Sequence, residues 1–432
     1  MRAKHGDTTK KSTSAAGLLS LIILFELAAF ATLALKDGAI DINAIIVGLM
    51  MVGLLLFQYY ALNAFFKHID KYLLIIANVL IAIGMVMQYR LSADNAFKQL
   101  IMIGVGMVLM VVAIVLLRWP EFFKRMKWPI MLASIPFLML PIVFGRTIGG
   151  ARNWVALGES FSFQPSEFIK IAWVIVLASW LSEKTRVKEF WPMGVFAAAA
   201  VCILMYERDL GAVMLYFGTA VIVYYVATGK KLNTALIIGA GAGGAVASYF
   251  IFSHVRVRIA VWKNPWSTYY SSGYQVAQGL MAIGSGGLWG SGLGLGSPGS
   301  IPAYSTDYIF AVICEEFGII VGLCVIAFYL VFILRGAKIA LNAPNRFLML
   351  LAFGCTTLIT LQSFIIIGGV IKLIPLTGVT LPFVSAGGSS MITSMVLLGI
   401  LEAISIAGGE AAEEEKHREL ERENEQQEVA ES

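Results

Sequence analysis

Charge is what this sequence has least of. Only 14% of its 432 residues are charged, while 58% are hydrophobic. Soluble domains carry roughly 25% charge, and a deficit spread over most of the chain excludes a soluble fold. Cysteine is scarce as well. Cys202, Cys314, Cys324 and Cys355 lie inside apolar runs without metal-ligand spacing, so they read as small core residues rather than a disulfide framework. The four histidines, His5, His68, His254 and His417, are scattered, which argues against a histidine metal site. Strict polar–apolar alternation is missing too, and that excludes a transmembrane β-barrel.

What the chain has instead is long apolar runs. Twelve are read, at about 16–35, 44–66, 71–89, 97–118, 127–145, 167–182, 189–206, 209–228, 232–252, 306–335, 344–371 and 386–407. A spanning helix needs about 20 apolar residues, and backbone groups in hydrocarbon must pair within the element. The expected fold is therefore an all-α polytopic membrane protein with about twelve spans. The first run lacks a clear small-residue cleavage site, and another span follows at once, so it is not read as a cleavable signal.

The placement of Lys and Arg gives an orientation. With the N-terminus inside and the spans alternating, twenty-one cations fall on inner segments and ten on outer ones. That excess places both termini in the cytoplasm. Two outer loops are then long, about 146–166 and 253–305. The second holds ten glycines between Gly273 and Gly299. Its apolar residues Val276, Leu280, Met281, Ile283, Leu288 and Trp289 predict a short amphipathic helix at the interface. Trp262, Trp266, Tyr269, Tyr270 and Tyr274 predict an ordered interfacial element. The tail 408–432 carries ten Glu and reads as a solvated helix or disordered segment.

Ionisable residues near the bilayer are costly, so each needs a reason. Asp307, where the second outer loop enters a helix, reads either as a helix cap or as a general base at the mouth of a membrane cavity. Glu315 and Glu316 would lie about 12–13 Å deeper along a straight helix, either hydrogen-bonded to neighbouring helices or serving the cavity. Glu167 and Lys170 share a helix face and form either a structural ion pair or a pair whose lysine also faces a phosphate. Pro165 suits the first turn there, with Ser166 as a cap. Arg152 reads as an interfacial anchor or a phosphate ligand. Arg208 and Asp209 share a very short outer turn, and Arg256, Arg258 and Lys263 stand at the start of the second loop. Pro375, Pro382, Gly387 and Gly388 mark 374–390 as a helix-broken element, which could be no more than a hairpin plugging the bundle.

Five stretches carry a more specific pattern: GARNWVALGESFSFQPSEFIK (150–170), ERDLGAV (207–213), YQVAQGLMAIGSGGLWGSGLG (274–294), STDYIFAVICEEFG (305–318) and LTGVTLPFVSAGGSS (376–390). In order and spacing the sequence resembles the SEDS family, the RodA, FtsW and SpoVE group of peptidoglycan polymerases, over about residues 70–407. The resemblance implies a ten-helix SEDS core at 70–407 with two extra N-terminal transmembrane helices within 1–69, and an acidic cytoplasmic tail at 408–432. It implies lipid II as substrate, polymerised into glycan strands at the outer face of the cytoplasmic membrane, with Asp307 catalytic. Arg152, Trp154, Glu167, Lys170, Arg208, Asp209, Gln275 and Ser389 stand in these motifs as substrate-binding candidates. A divalent cation, Mg or Mn, could assist. The implied partners are a class B penicillin-binding protein transpeptidase and other cell-wall assembly proteins, with no nucleic acid. The chain departs from many relatives at Asn153, where a basic residue is common, and at Ile366, Lys372 and Ala386. A flippase for the lipid-linked precursor is the alternative function.

Overall fold

The computed structural model describes residues 15–35, 40–148, 151–157, 161–183 and 187–431. The cations Arg2, Lys4, Lys10, Lys11, Lys36, Lys184 and Arg186, used above for orientation, lie outside those residues. Fifteen α-helices are described. They are α1 (Ala15–Ala34), α2 (Ile42–Phe65), α3 (Lys71–Leu91), α4 (Ala93–Leu116), α5 (Pro120–Arg125), α6 (Lys127–Phe144), α7 (Pro165–Glu183) and α8 (Trp191–Tyr206). They continue with α9 (Leu210–Thr228), α10 (Lys231–Ile251), α11 (Ser253–Lys263), α12 (Tyr274–Gly286), α13 (Ile309–Leu341), α14 (Arg346–Val370) and α15 (Gly388–Glu431). Among the described residues, eleven helices are long and apolar enough to cross a membrane. α8 is a shorter apolar helix of 16 residues.

Short polar residues start these helices where the apolar runs begin. Asp41, Asp70, Ser92, Asp209 and Asn345 each accept backbone N–H bonds at the first turn of α2, α3, α4, α9 and α14, satisfying donors that the helix leaves open. Ser166 does not do this for α7. Its hydroxyl is buried without a partner, and its carbonyl accepts the Tyr216 hydroxyl at 2.7 Å. α3, α7 and α14 are mostly buried and form the centre with the first half of α15, while α6 and α10 are peripheral. α1 and α2 pack on α3 and α4. The tail is one continuation of α15, exposed over 410–429 apart from partly buried Ala411.

The loop after α6 contains a small antiparallel sheet. β1 (Gly145–Ile148), β2 (Ala151–Leu157) and β3 (Phe161–Phe163) are ordered β1-β2-β3, with Arg146 opposite Trp154 and Val155 opposite Phe163. The all-α reading therefore needs this one addition. Strands of three to seven residues are too short to show a period that stands out between two spans.

α13 is not straight. Gly318 has φ 85° and ψ 167° inside it, a region open essentially to glycine. The kink frees backbone groups, and the glycine-rich loop satisfies them. Ser291 and Gly292 N–H donate to the carbonyls of Glu315 and Glu316 at 2.9 and 3.0 Å, and Ile319 N–H donates to Gly287 O at 3.0 Å. Side chains of α13 and α3 complete the seal. Glu315 accepts from Ser297 N–H at 2.9 Å, Glu316 accepts from Gly294 N–H at 2.8 Å, and Arg90 pairs with Glu316 at 3.1 Å.

This geometry corrects the depth expected for Glu315 and Glu316. Arg90 and Gln88 both lie at the end of α3, and Gln88 donates to Ser305 O at 3.0 Å. Residues 305 and 316 are thus held at one end of the bundle, with two residues of α3, about 3 Å of rise, between their anchors. α12 runs beside this first segment of α13, and Gly279 and Gly286 allow close approach to Tyr308 and Cys314. The two acidic residues fasten the glycine-rich loop, Glu316 also pairs with Arg90 of the neighbouring helix α3, and neither lines the cavity described next.

Candidate active site

At that end of the bundle lies a cavity of about 850 Å³, walled by the starts of α4, α7 and α9, by α11, and by residues 302–307, 372–380 and 386–390. Asp307 lines it, half-buried. It makes no hydrogen-bonded cap for α13: the cap position is Tyr308, without a side-chain cap bond, and what remains of the structural reading of Asp307 is its place at the positive end of the helix dipole. The surrounding backbone is fixed from two sides. Ser385 Oγ donates to Thr306 O at 2.6 Å, and Ala386 N–H donates to Ser305 O at 2.9 Å. Gly378, at φ 78°, approaches so closely that a Cβ there would sit 3.4 Å from Asp307 Oδ2. The 374–390 element therefore builds the wall around Asp307 and does more than plug the bundle.

Burial pushes the Asp307 carboxyl up from 3.8 to about 6, against the opposing pull of the Thr306 hydroxyl and of Arg258. That value suits a group that must be ionised near neutral pH and still hold a proton once it takes one. Arg258 comes from α11, donates to Leu376 O at 3.0 Å, and faces both Asp307 and Asp209. The sequence marked it only as one of several loop cations. Its signal was local: Arg258, Val261 and Trp262 recur at helical spacing, and all three line the cavity.

Lys170 is buried beneath the cavity wall. Its Nζ donates to Glu167 Oε1 at 2.6 Å and to Gln362 Oε1 at 3.0 Å. Gln362 in turn donates to Thr380 O at 2.8 Å, and Thr380 Oγ1 meets Ser390 Oγ at 2.6 Å. A polar chain thus runs from α7 through α14 to the 374–390 element. Gln362 went unnoticed in the sequence because a lone glutamine in an apolar helix carries no spacing signal.

Asp209 caps α9 through Ala212 N–H at 3.0 Å and accepts from Asn153 at 2.9 Å and Gln164 at 2.8 Å. It clamps the sheet to the α8–α9 turn, and Asn153 is the residue that makes this possible. Between Asp209 and buried Glu207, Arg208 sits at φ 63° and turns to the cavity. Burial, then the Asp209 charge, push the Glu207 carboxyl up to about 8. Glu207 therefore favours its neutral form near neutral pH and adds little negative charge beside Arg208.

Of the candidate residues, Trp154, Glu167, Lys170, Arg208, Asp209, Gln275 and Ser389 line this one cavity with Asp307. Gln275 also donates to Pro302 O at 3.0 Å. Arg152 is the exception. It is exposed and outside the lining, its Nε folded back onto Gly145 O at 3.2 Å and its N–H on Glu207 O. Lys98, Arg258 and Lys372 join the cavity's cations instead. Among the described residues no group of three His, Cys, Asp or Glu is placed to hold a metal. Of the acidic lining, Glu167 is committed to Lys170 and Asp209 to its three donors, which leaves Asp307 as the carboxylate that would meet a divalent ion brought in with a pyrophosphate.

Residues 70–408 match the cell cycle protein family model FtsW/RodA/SpoVE. The chain is 32% identical over 387 residues to the peptidoglycan glycosyltransferase RodA of Mycobacterium tuberculosis, covering 83% of this chain and 82% of that one. It is 34% identical to stage V sporulation protein E of Bacillus subtilis, covering 78% and 96%. It is also 34% identical to a probable peptidoglycan glycosyltransferase FtsW of Geobacter sulfurreducens, with the same coverage. Among solved structures, the fold is similar to a chain of a peptidoglycan synthase complex, with TM-score 0.67, 24% identity, and 78% and 97% coverage. It is similar also to the rod shape determining protein RodA of Thermus thermophilus, with TM-score 0.57, 25% identity, and 78% and 96% coverage.

Proposed function

This chain belongs to the FtsW/RodA/SpoVE family, and on that footing we propose that it is a peptidoglycan glycosyltransferase acting on lipid II. The observation that carries the reading is Asp307, a half-buried carboxyl near pKa 6 in a cation-lined membrane cavity. Ionised Asp307 takes the proton of the acceptor's sugar 4-hydroxyl. The freed oxygen attacks the donor's anomeric carbon from the face opposite the leaving group. A glycosidic bond forms as the bond to pyrophosphate breaks, the anomeric centre inverts, and undecaprenyl pyrophosphate departs with the electron pair.

Negative charge grows on the leaving pyrophosphate, and fixed cations in a partly desolvated site stabilise it. Arg208 and Arg258 are best placed for this, with Lys98 and Lys372 at the same wall. Lys170 is already held by Glu167 and Gln362, so its part is to set the electrostatics and shape of the floor. Arg152, outside the lining, serves incoming substrate or a partner surface.

In this reading the cavity opens to the outer face of the cytoplasmic membrane and both termini are cytoplasmic, an orientation that the bias of Lys and Arg supports. A class B penicillin-binding protein would crosslink the strands, and the role falls within elongation, division or sporulation. The test is purified Asp307→Asn in a lipid II polymerisation assay. Loss of polymer with retained lipid II binding is expected. Full polymerisation by that variant overturns the assignment and favours a flippase.

A further inference from the structure

Between α11 and α12 the chain makes a compact knot of aromatic side chains. Trp266 and Tyr269 have ring centroids 6.4 Å apart and planes within 17° of parallel. Tyr270 and Tyr274 meet Tyr269 edge-on at 5.1 and 5.6 Å. Such offset and edge-on pairings are favourable aromatic geometries. The knot is rigidly built. Asn264 Oδ1 accepts Trp266 N–H at 3.2 Å, Gly273 N–H donates to Thr268 O at 2.9 Å, and Gln278 donates to the Tyr269 hydroxyl at 3.0 Å. A Cβ on Gly273 would collide with Pro265 O, so the turn admits only glycine there.

Two of the rings are nonetheless exposed, Trp266 by 53% and Tyr270 by 97%, while Tyr269 and Tyr274 are half-buried. The segment is continuous with the cavity wall, because Trp262 before it and Ser272 and Gln275 after it all line the cavity. Rigid aromatic faces with polar edges, set beside a cavity that handles sugars, suit one ligand chemistry. The C–H face of a pyranose lies flat on an aromatic ring, while indole N–H and phenol O–H groups reach the sugar's hydroxyl and acetamido oxygens. Polar ring edges would suit a membrane anchor as well; what favours sugar is that the segment runs directly into the cavity wall on both sides.

We propose that Trp266, Tyr269, Tyr270 and Tyr274 form a subsite that grips the growing glycan strand as it leaves the cavity. This rests on the glycosyltransferase reading for its biological use, but the subsite is testable without it. Each new linkage lengthens the strand, and a grip beyond the reacting sugars keeps it on the enzyme between turnovers.

The experiment has two arms, both in detergent with the full chain. In the first, lipid-free oligomers of alternating N-acetylglucosamine and N-acetylmuramic acid are titrated by calorimetry into wild type, Trp266→Ala and Tyr269→Ala. Binding by wild type, weakened at least tenfold in each alanine variant, is expected. No binding by wild type, or equal binding by the variants, overturns the proposal. In the second, strand length is compared at equal lipid II consumption. At least threefold shorter strands are expected for the alanine variants, with only partial recovery in Trp266→Phe and Tyr269→Phe, which keep a ring and lose its polar edge. Unchanged lengths overturn the proposal, as does a defect seen only with a transpeptidase present, which would mark a protein-docking surface. If wild type binds the oligomers but makes no polymer, the subsite stands and the glycosyltransferase reading falls.

Discussion

At Asp307, burial lifts the carboxyl from 3.8 to about 6, and two consequences follow from the sign of that shift. The reactive form is the carboxylate, so polymerisation falls about tenfold per pH unit below roughly pH 6; an initial-rate profile between pH 5 and 8 checks this. A carboxyl raised in the folded state is ionised at a cost to stability above that pKa. Asp307→Asn removes the cost, so at pH 8 it should melt no lower than wild type while losing about 10²–10⁴-fold of activity. A lower melting temperature would mean that the carboxylate serves the fold. Lys170 behaves differently. Glu167→Gln leaves its buried ammonium with neutral acceptors and no counter-charge, which should destabilise by about 3–5 kcal/mol. The double variant Glu167→Gln with Lys170→Met should recover most of that in denaturation measurements. The sequence showed the Glu167–Lys170 pair because a spacing of three residues is visible. It could not show Gln362, 192 residues away, because only packing of α14 on α7 brings the two together.

The elements divide along similar lines. Apolar runs located the spans well, since length and hydropathy are local properties. The kink in α13 was not legible: Gly318 looks like any other glycine in an apolar stretch. What marks it is the loop that bonds to the carbonyls of Glu315 and Glu316. Gly318→Ala forces a side chain into φ 85° and against Leu288 O. It should cost about 1–3 kcal/mol and expose the 287–297 loop to limited proteolysis. Uncut loop and unchanged melting would refute the part given to that kink. The interfacial helix expected from Val276 to Trp289 is present as α12, ending at Gly286. It ends early because Gly287 at φ 55° turns the chain under α13.

Across the whole molecule, the end away from the cavity is tied by a second set of charges. Asp70 caps α3 and accepts a bidentate bond from Arg335 of α13, while its N–H donates to Glu402 of α15 at 2.7 Å. Asp70→Asn should destabilise the bundle by about 3–5 kcal/mol, because it leaves Arg335 without its counter-charge, and should leave the pH profile of activity in place. In the tail, Glu413 meets His68 at 3.1 Å and Glu414 meets Arg418 at 3.3 Å. Truncation after Glu414 should move stability by no more than about 0.5 kcal/mol, as read by thermal melting. By itself the sequence determined the class of protein and the family motifs, placed most of the apolar helices, and singled out Asp307 as a candidate, because hydropathy and motif spacing are written along the chain. Only the tertiary structure decided that Asp307 makes no hydrogen-bonded cap, that Arg258 faces it while Arg152 does not, and that Glu315 and Glu316 fasten a loop. Those outcomes depend on which distant segments share one cavity wall, and separation along the chain carries no record of that.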